Sequence, residues 1–279
     1  MLTSTFCHIP GVGAKTERRL WSHGVLSWDD AGADVLQSVL PGRSDAVRRL
    51  ARESGDRLSR GDALYFYERL PSNQHWRLFP NFRGSVAYLD IETTGLGSPS
   101  DYITVIGLYD GQSVRQYVFD ENLDEFERDV RDFQLVVTYN GKQFDLPFIR
   151  HSLGLHMAHA HIDLRYVLAS LGYKGGLKGC EKQLGIDRGD LDGVDGYFAV
   201  LLWRDFRHSG NRRALETLLA YNAADVVNLE ALMVMAYNMK ARALEIDRAP
   251  MLTVPSPPAL PFGVHQGTLD RIRLEHGWL

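Results

Sequence analysis

Four acidic residues stand in apolar surroundings at widely separated places in the chain. They are Asp90 and Glu92 in VAYLDIETTGL, Asp145 in VVTYNGKQFDLPFI, and Asp225 in LLAYNAADVVNLEAL. An ionised carboxylate in such a setting is costly unless something positive meets it. Like charges brought together raise one another's pKa values unless bound cations compensate. A fold that gathers these four acids must therefore bring cations with it. Hard oxygen donors suit Mg²⁺ or Mn²⁺, and pairs of such ions serve phosphodiester hydrolysis. The first expectation is a metal-dependent nuclease.

Bulk properties bound this reading without deciding it. The 279 residues allow one large domain with an appendage, or two modest domains. With 44% hydrophobic and 24% charged residues the chain reads as ordinary globular protein. No apolar run approaches bilayer length, since AVLLW at 199–203 is soon interrupted. The N-terminus lacks a charged-then-apolar export pattern, and Cys7 and Cys180 are too few for a disulfide framework. The expectation is a cytoplasmic protein with no membrane partner. A net charge of −4 is unusual for a simple nucleic-acid binder, but bound metals would neutralise a carboxylate cluster, so charge alone does not decide.

Texture divides the chain at residue 85. Up to residue 84, DVLQSVL, SDAVRRLARESG and GDALYFYERL read as short helices entered through polar or Gly-containing turns. From 85 to 245 the pattern is mixed. SVAYLDIE is a buried strand, YITVIGLYD and VRQYVFD flank the Asp110–Gly111 hairpin signal, and QLVVTYN is another buried strand. LDEFERDVRDF reads as a helix. The Asn140–Gly141 turn leads to a helix from about Phe144, with Pro147 tolerated in its first turn. HIDLRYVL passes from strand to helix, small helices follow, and a long helix runs from about Arg212 to Ala243. Residues 246–279 form a Pro-rich, extended tail with a short terminal helix. The order predicts an α/β fold: a mixed sheet covered by helices, compatible with the ribonuclease H-like architecture, plus a small N-terminal helical module.

Each acid also has a plainer explanation. Asp90 and Glu92 are two apart, so a strand projects both to one face, where they can share a divalent ion or simply form a surface pair. Leu215, Leu218, Asn222, Asp225, Leu229 and Leu232 recur at steps of three and four, placing Asp225 in an otherwise largely apolar helix stripe. Tyr221 lies one turn earlier on the same side, which a structural hydrogen bond would also explain. Asp145 starts a helix and competes with a capping role.

Taken together, Asp90-Ile-Glu92-Thr-Thr-Gly, Asn140-Gly-Lys-Gln-Phe-Asp145 and Tyr221-x-x-x-Asp225 resemble the three exonuclease motifs of the DEDD superfamily, Tyr subclass. WRLFPNFRGSVAYLDIETTGL and YNGKQFDLPF further resemble the bacterial YprB-type ribonuclease H-like family; the similarity covers roughly residues 65–240. The resemblance implies 3′→5′ hydrolysis releasing nucleoside 5′-monophosphates, with two Mg²⁺ or Mn²⁺ ions. Asp90, Glu92 and Asp225 would hold the metal carrying the attacking water, Asp90 would bridge to a second ion, and Asp145 would support it. Tyr221 would orient the water or help deprotonate it. Thr93, Thr94 and Leu96 would meet the terminal nucleotide, Asn140 and Lys142 would contact phosphate, and Asp163 and Lys178 match accessory positions. Asp163 could equally be a helix cap, and Lys178 a solvated charge.

The segment Ile9-Pro-Gly11-Val-Gly13-Ala-Lys15-Thr-Glu-Arg18-Arg19-Leu resembles a helix-hairpin-helix motif, although its first helix must be short or incomplete. Gly11 and Gly13 would present backbone amides to phosphate, with Lys15 adding sequence-independent attraction. By analogy this favours DNA over RNA as the single-stranded substrate. The alternatives are RNA trimming, structure-selective endonuclease action, or a non-catalytic nucleic-acid-binding module. The tail would either dock on the nuclease domain or recruit a partner such as a helicase or polymerase. His151, His156, His159 and His161 read as solvated loop residues, and the aromatics of WRLFPNF and ALYFYERL as core.

Overall fold

The computed structural model describes residues 1–244, 246 and 249–278. Five N-terminal helices precede the sheet: α1 (Ala14–Ser22), α2 (Ala33–Val39), α3 (Ser44–Ser59), α4 (Ala63–Arg69) and α5 (Phe79–Phe82). The sheet is built from β1 (Val86–Thr93), β2 (Ile103–Tyr109), β3 (Val114–Val118), β4 (Leu135–Thr138) and β5 (Ala160–Asp163), in the order β3-β2-β1-β4-β5. Interspersed and following are α6 (Phe126–Val130), α7 (Asp145–Leu153), α8 (Leu164–Ala169), α9 (Gly176–Gln183), α10 (Gly196–Ser209), α11 (Arg212–Arg242) and α12 (Gln266–Glu275).

β1, β2 and β3 form an antiparallel meander, and β4 and β5 add in parallel on the other side of β1. The hairpin forms where Asp110 and Gly111 stand: Asp110 Oδ1 accepts the amides of Gln112 and Ser113, and Gly111 takes φ +91°. Alternation along β1 splits its side chains between two layers. Ala87, Leu89 and Ile91 pack with Phe126 and Val130 of α6 and Phe148 and Ile149 of α7. Tyr88, Asp90 and Glu92 face the opposite side, which α11 covers. α11 begins where Asn211 caps it, accepting the Arg213 amide. By length and composition α11 could cross a bilayer, contrary to the expectation that no run approaches that length, but 78% of its most apolar stretch is buried within the protein. It is the central core helix.

The N-terminal helices join this core rather than standing beside it. Leu20, Trp21, Phe66, Trp76 and Phe79 share one apolar cluster with Tyr88, Leu232 and Tyr237. Of the aromatic segments expected as core, Tyr65, Phe66, Trp76, Phe79 and Phe82 are buried there, and Tyr67 packs against them half-buried. Glu17 of α1 and Arg77 form a 2.8 Å ion pair, each side chain 1% exposed, and Glu17 also accepts the amides of Phe6 and Cys7. The tail docks: Asn238 exchanges two hydrogen bonds with the Leu252 backbone, and Leu269 and Ile272 of α12 are buried with Phe198 and Leu218. The expected end of the nuclease segment at residue 245 lies outside the described residues.

The histidine reading needs correction. His161 lies on β5, buried, with Nε2 2.9 Å from Thr138 Oγ1, and His159 meets the Val130 carbonyl. Both are held by protein partners rather than by solvent.

Candidate metal centre

The site forms where β1 and α11 approach closely. Asp90 pairs in register with Gly107 of β2. A Cβ at Gly107 would stand 2.2 Å from Asn222 Oδ1 and 3.0 Å from a Val226 methyl, so the missing side chain admits α11. One turn beyond Tyr221, Asp225 then reaches the strand. Oxygens of Asp90, Glu92 and Asp225 all lie within 4.8 Å of one another. Asp145 is buried at the first position of α7 and lines the same cleft, of about 600 Å³, but stands outside that trio. The N-cap of α7 is Phe144, so Asp145 does not hold the capping position offered as its plainer explanation, and its carboxylate meets the backbone of Ile91 and its own amide.

Polar neighbours fix the trio. Asn222 Nδ2 donates to Asp90 Oδ2 (3.3 Å), and its own Oδ1 accepts from Gln116 (3.1 Å). Arg188 donates to Asp225 Oδ1 and is gripped from behind by Glu181, with contacts of 2.6 and 3.0 Å. Asn228 donates to Glu181 in turn, at 2.9 Å. Lys178 Nζ donates to Tyr221 Oη (2.8 Å) and to the Val194 carbonyl. Lys178 is therefore a positioned group rather than a solvated charge.

Electrostatics explain why this arrangement wants cations. Burial, then Asp225, Glu92 and Asp145, push the Asp90 carboxyl well above the usual carboxylate range. Burial and Asp225 do the same to Glu92, with Lys178 opposing. Burial raises Asp225 despite Arg188, and pushes Asp145 up to about 7. Two basic groups cannot neutralise four acids, and three hard oxygen donors converge. That donor set fits a divalent ion such as Mg²⁺ or Mn²⁺. Tyr221 is buried, and burial together with Asp225, Glu92 and Asp90 raises its phenol well above its ordinary value, so it stays protonated.

The remaining sequence candidates fall into three groups. Thr93, Thr94, Leu96 and Asn140 line the carboxylate cleft. Leu96 is 95% exposed at its lip, Thr93 Oγ1 donates to the Gly95 carbonyl, and Thr94 Oγ1 accepts the Tyr102 amide. Asp163 caps α8 through the Arg165 amide and also accepts the amides of Asn140 and Lys142 at 2.8 and 3.1 Å. It shapes the Asn140 turn, in which Asn140 takes φ +67°. Lys142 lines a different cavity. Gly11, Gly13 and Lys15 lie in the N-terminal part, away from the carboxylates. Gly11 has φ +76° with the Arg43 guanidinium against it, Gly13 is the N-cap of α1, and exposed Lys15 shares a basic pocket with Arg18 and Arg19. Only a three-residue 3-10 turn, Leu2–Ser4, precedes the hairpin.

Sequence reasoning missed Arg188, Glu181 and Gln116. Asn222 was placed on the right helix face, but no role was drawn from it.

A carboxylate trio on β1 and α11 of a β3-β2-β1-β4-β5 sheet defines a ribonuclease H-like fold with a group that could hold a metal ion. The chain belongs to the RNase H superfamily, whose family model matches residues 87–237. Among solved structures it is similar to the family B DNA polymerase from the hyperthermophilic archaeon Pyrobaculum calidifontis, at 18% identity and a TM-score of 0.41. That match covers 56% of this chain and 24% of the polymerase. No curated protein matches the chain.

Proposed function

We propose that this protein is a metal-dependent 3′→5′ exonuclease of the DEDD type, Tyr subclass and YprB-like, acting on single-stranded nucleic acid. The observation that carries the reading is the convergence of Asp90, Glu92 and Asp225 within 4.8 Å, with Tyr221 one helical turn before Asp225. Asp90, Glu92 and Asp225 would hold one ion, and Asp145 would support a second alongside Asp90. When bound, the ions supply the charge that acidifies water and stabilises the attacking and leaving oxygens of an in-line displacement.

The chain's own residues do the positioning. Tyr221, kept protonated and fixed by Lys178, orients the nucleophilic water through Oη rather than removing its proton. Leu96 stands free at the cleft mouth as an apolar wedge against the terminal base, with Thr93, Thr94 and Asn140 beside it. Residues 1–84 would act as a helical module whose Gly11–Gly13 hairpin and Lys15 grip backbone phosphate, which favours DNA. In this division 85–245 is the nuclease domain and 246–279 its tail, and the reaction belongs in the cytoplasm.

The test uses 3′- and 5′-labelled single-stranded DNA and RNA with Mn²⁺, Mg²⁺ or EDTA, comparing wild type with Asp90→Asn. The expected result is a metal-dependent ladder shortening from the 3′ end, with the variant slower by about 10²–10³-fold, the scale of losing one group that stabilises transition-state charge. Preferential loss of RNA would move the substrate class, and internal cutting would move the mode. Binding without cleavage under every condition would remove the catalytic reading.

A further inference from the structure

We propose that the cavity behind the Asn140–Lys142 turn is a second nucleotide subsite, taking a phosphate-bearing unit of the same strand upstream of the one at the carboxylates. The inference rests on the nuclease reading above. The turn has two sides: Asn140 lines the carboxylate cleft, whereas Lys142 lines a separate cavity of about 340 Å³. His75, Trp76, Asp163, Tyr166 and Lys240 of α11 are among its walls. That volume is at the low end for ligand sites, about 300–1,000 Å³, and suits one nucleotide rather than a duplex.

The charge in this cavity is unbalanced. Neither Lys142 nor Lys240 has an ion-pair partner among the described residues. Burial pushes the Lys240 ammonium below its ordinary value, and burial followed by Lys142 does the same to His75. The acid in the wall, Asp163, is buried and engaged by three backbone amides. Two like charges facing one hollow, in a protein of net charge −4, leave a place for an anion. Tyr166 supplies the other half of the recognition. It is 47% exposed, and Lys142 Nζ stands 6.0 Å from its ring centroid. An aromatic face beside an ammonium is how single-strand binders stack a base while holding its phosphate.

The cavity begins at the Asn140–Lys142 turn beside the carboxylate cleft and extends to Lys240, fifteen residues beyond Asp225 on the same helix, a rise of about 22 Å along its axis. The occupant at the Lys240 end is therefore not the terminal nucleotide but one several positions upstream.

The experiment compares a trinucleotide with a 15-mer single strand, using wild type, Lys240→Gln and Tyr166→Ala. Cleavage is measured with Mn²⁺, and 15-mer binding by anisotropy in EDTA over a salt series. Each variant is expected to raise KM for the 15-mer about five- to tenfold, as loss of one stacked base does, while trinucleotide kinetics stay within about twofold. For Lys240→Gln the slope of log affinity against log salt should shrink by about 0.7, the single-strand value for one phosphate contact. Equal effects on both substrates, or unchanged 15-mer affinity and slope, would overturn the subsite. Wild-type protein that binds the 15-mer through Lys240 yet cleaves nothing would defeat the exonuclease reading while keeping the site.

Discussion

Arg188 sets how Asp225 meets the rest of the cluster. It holds Oδ1 from behind while Glu181, itself 1% exposed, balances its charge. Such outer partners orient metal ligands, and their loss commonly reduces metal affinity about 10–100-fold. Replacing both as Glu181→Gln/Arg188→Met removes one negative and one positive charge, so the net formal charge of the surroundings is unchanged while Asp225 loses its orienting donor. Mn²⁺ affinity of this double variant, by titration calorimetry, should fall at least tenfold, while melting in EDTA drops less than for Arg188→Met alone because Glu181 is no longer left as a buried charge. Affinity within a factor of two would show that the pair serves the fold only. Arg188→Met alone leaves both Glu181 and Asp225 buried without their cation and should cost about 3–5 kcal/mol in urea unfolding. The acids and Tyr221 were legible in the sequence because polar groups stand out in apolar runs. Arg188 was not, because GIDRGD reads as a solvated loop, and the partners that bury it lie 7 and 37 residues away.

At the scale of elements, the site depends on how closely α11 approaches the sheet, and Gly107 sets that distance. Asn222 is fully buried and bonded to Gln116, so it cannot swing away from a new methyl group. Gly107→Ala should therefore destabilise by about 1–3 kcal/mol, as overpacking does, read as a lower urea midpoint with an unchanged slope. A neutral result would mean that α11 can shift without strain. Period-two strands, the Asp-Gly hairpin and the long helix were legible because each carries its own local pattern. The pairing of Asp90 with Gly107 was not, since a glycine inside ITVIGLY declares no partner. His161 misled for a similar reason: four histidines within eleven residues read as a loop, yet β5 buries one of them between the strands and helices around it.

At the scale of the whole molecule, the cluster couples stability to pH and metal. The acids at Asp90, Glu92, Asp145 and Asp225 hold protons more tightly folded than unfolded. Between the ordinary carboxylate range, about 4, and their raised values, near about 7 for Asp145, the folded state binds more protons. Stability in EDTA then falls as pH rises through that window. Divalent ions reverse the loss by pairing with the ionised forms. The rise in Tm on adding Mn²⁺ should thus be larger at pH 8 than at pH 5, and absent at both in Asp225→Ala. A rise that is larger at pH 5 would count against a carboxylate metal centre.

The buried pair of Glu17 and Arg77 bears on how the protein can be dissected. Glu17 belongs to the glycine-hairpin stretch, and Arg77 lies just ahead of the sheet, with Trp76 and Phe79 flanking it against Tyr237 of the long helix. A protease nicking an exposed loop between α1 and α4 would leave two fragments still clasped together, separable only by denaturant. Shortening the chain to begin at residue 85 would strip the apolar side of Tyr237 and uncover a sticky face. The hairpin stretch and the helix that carries Asp225 accordingly rest on one shared core.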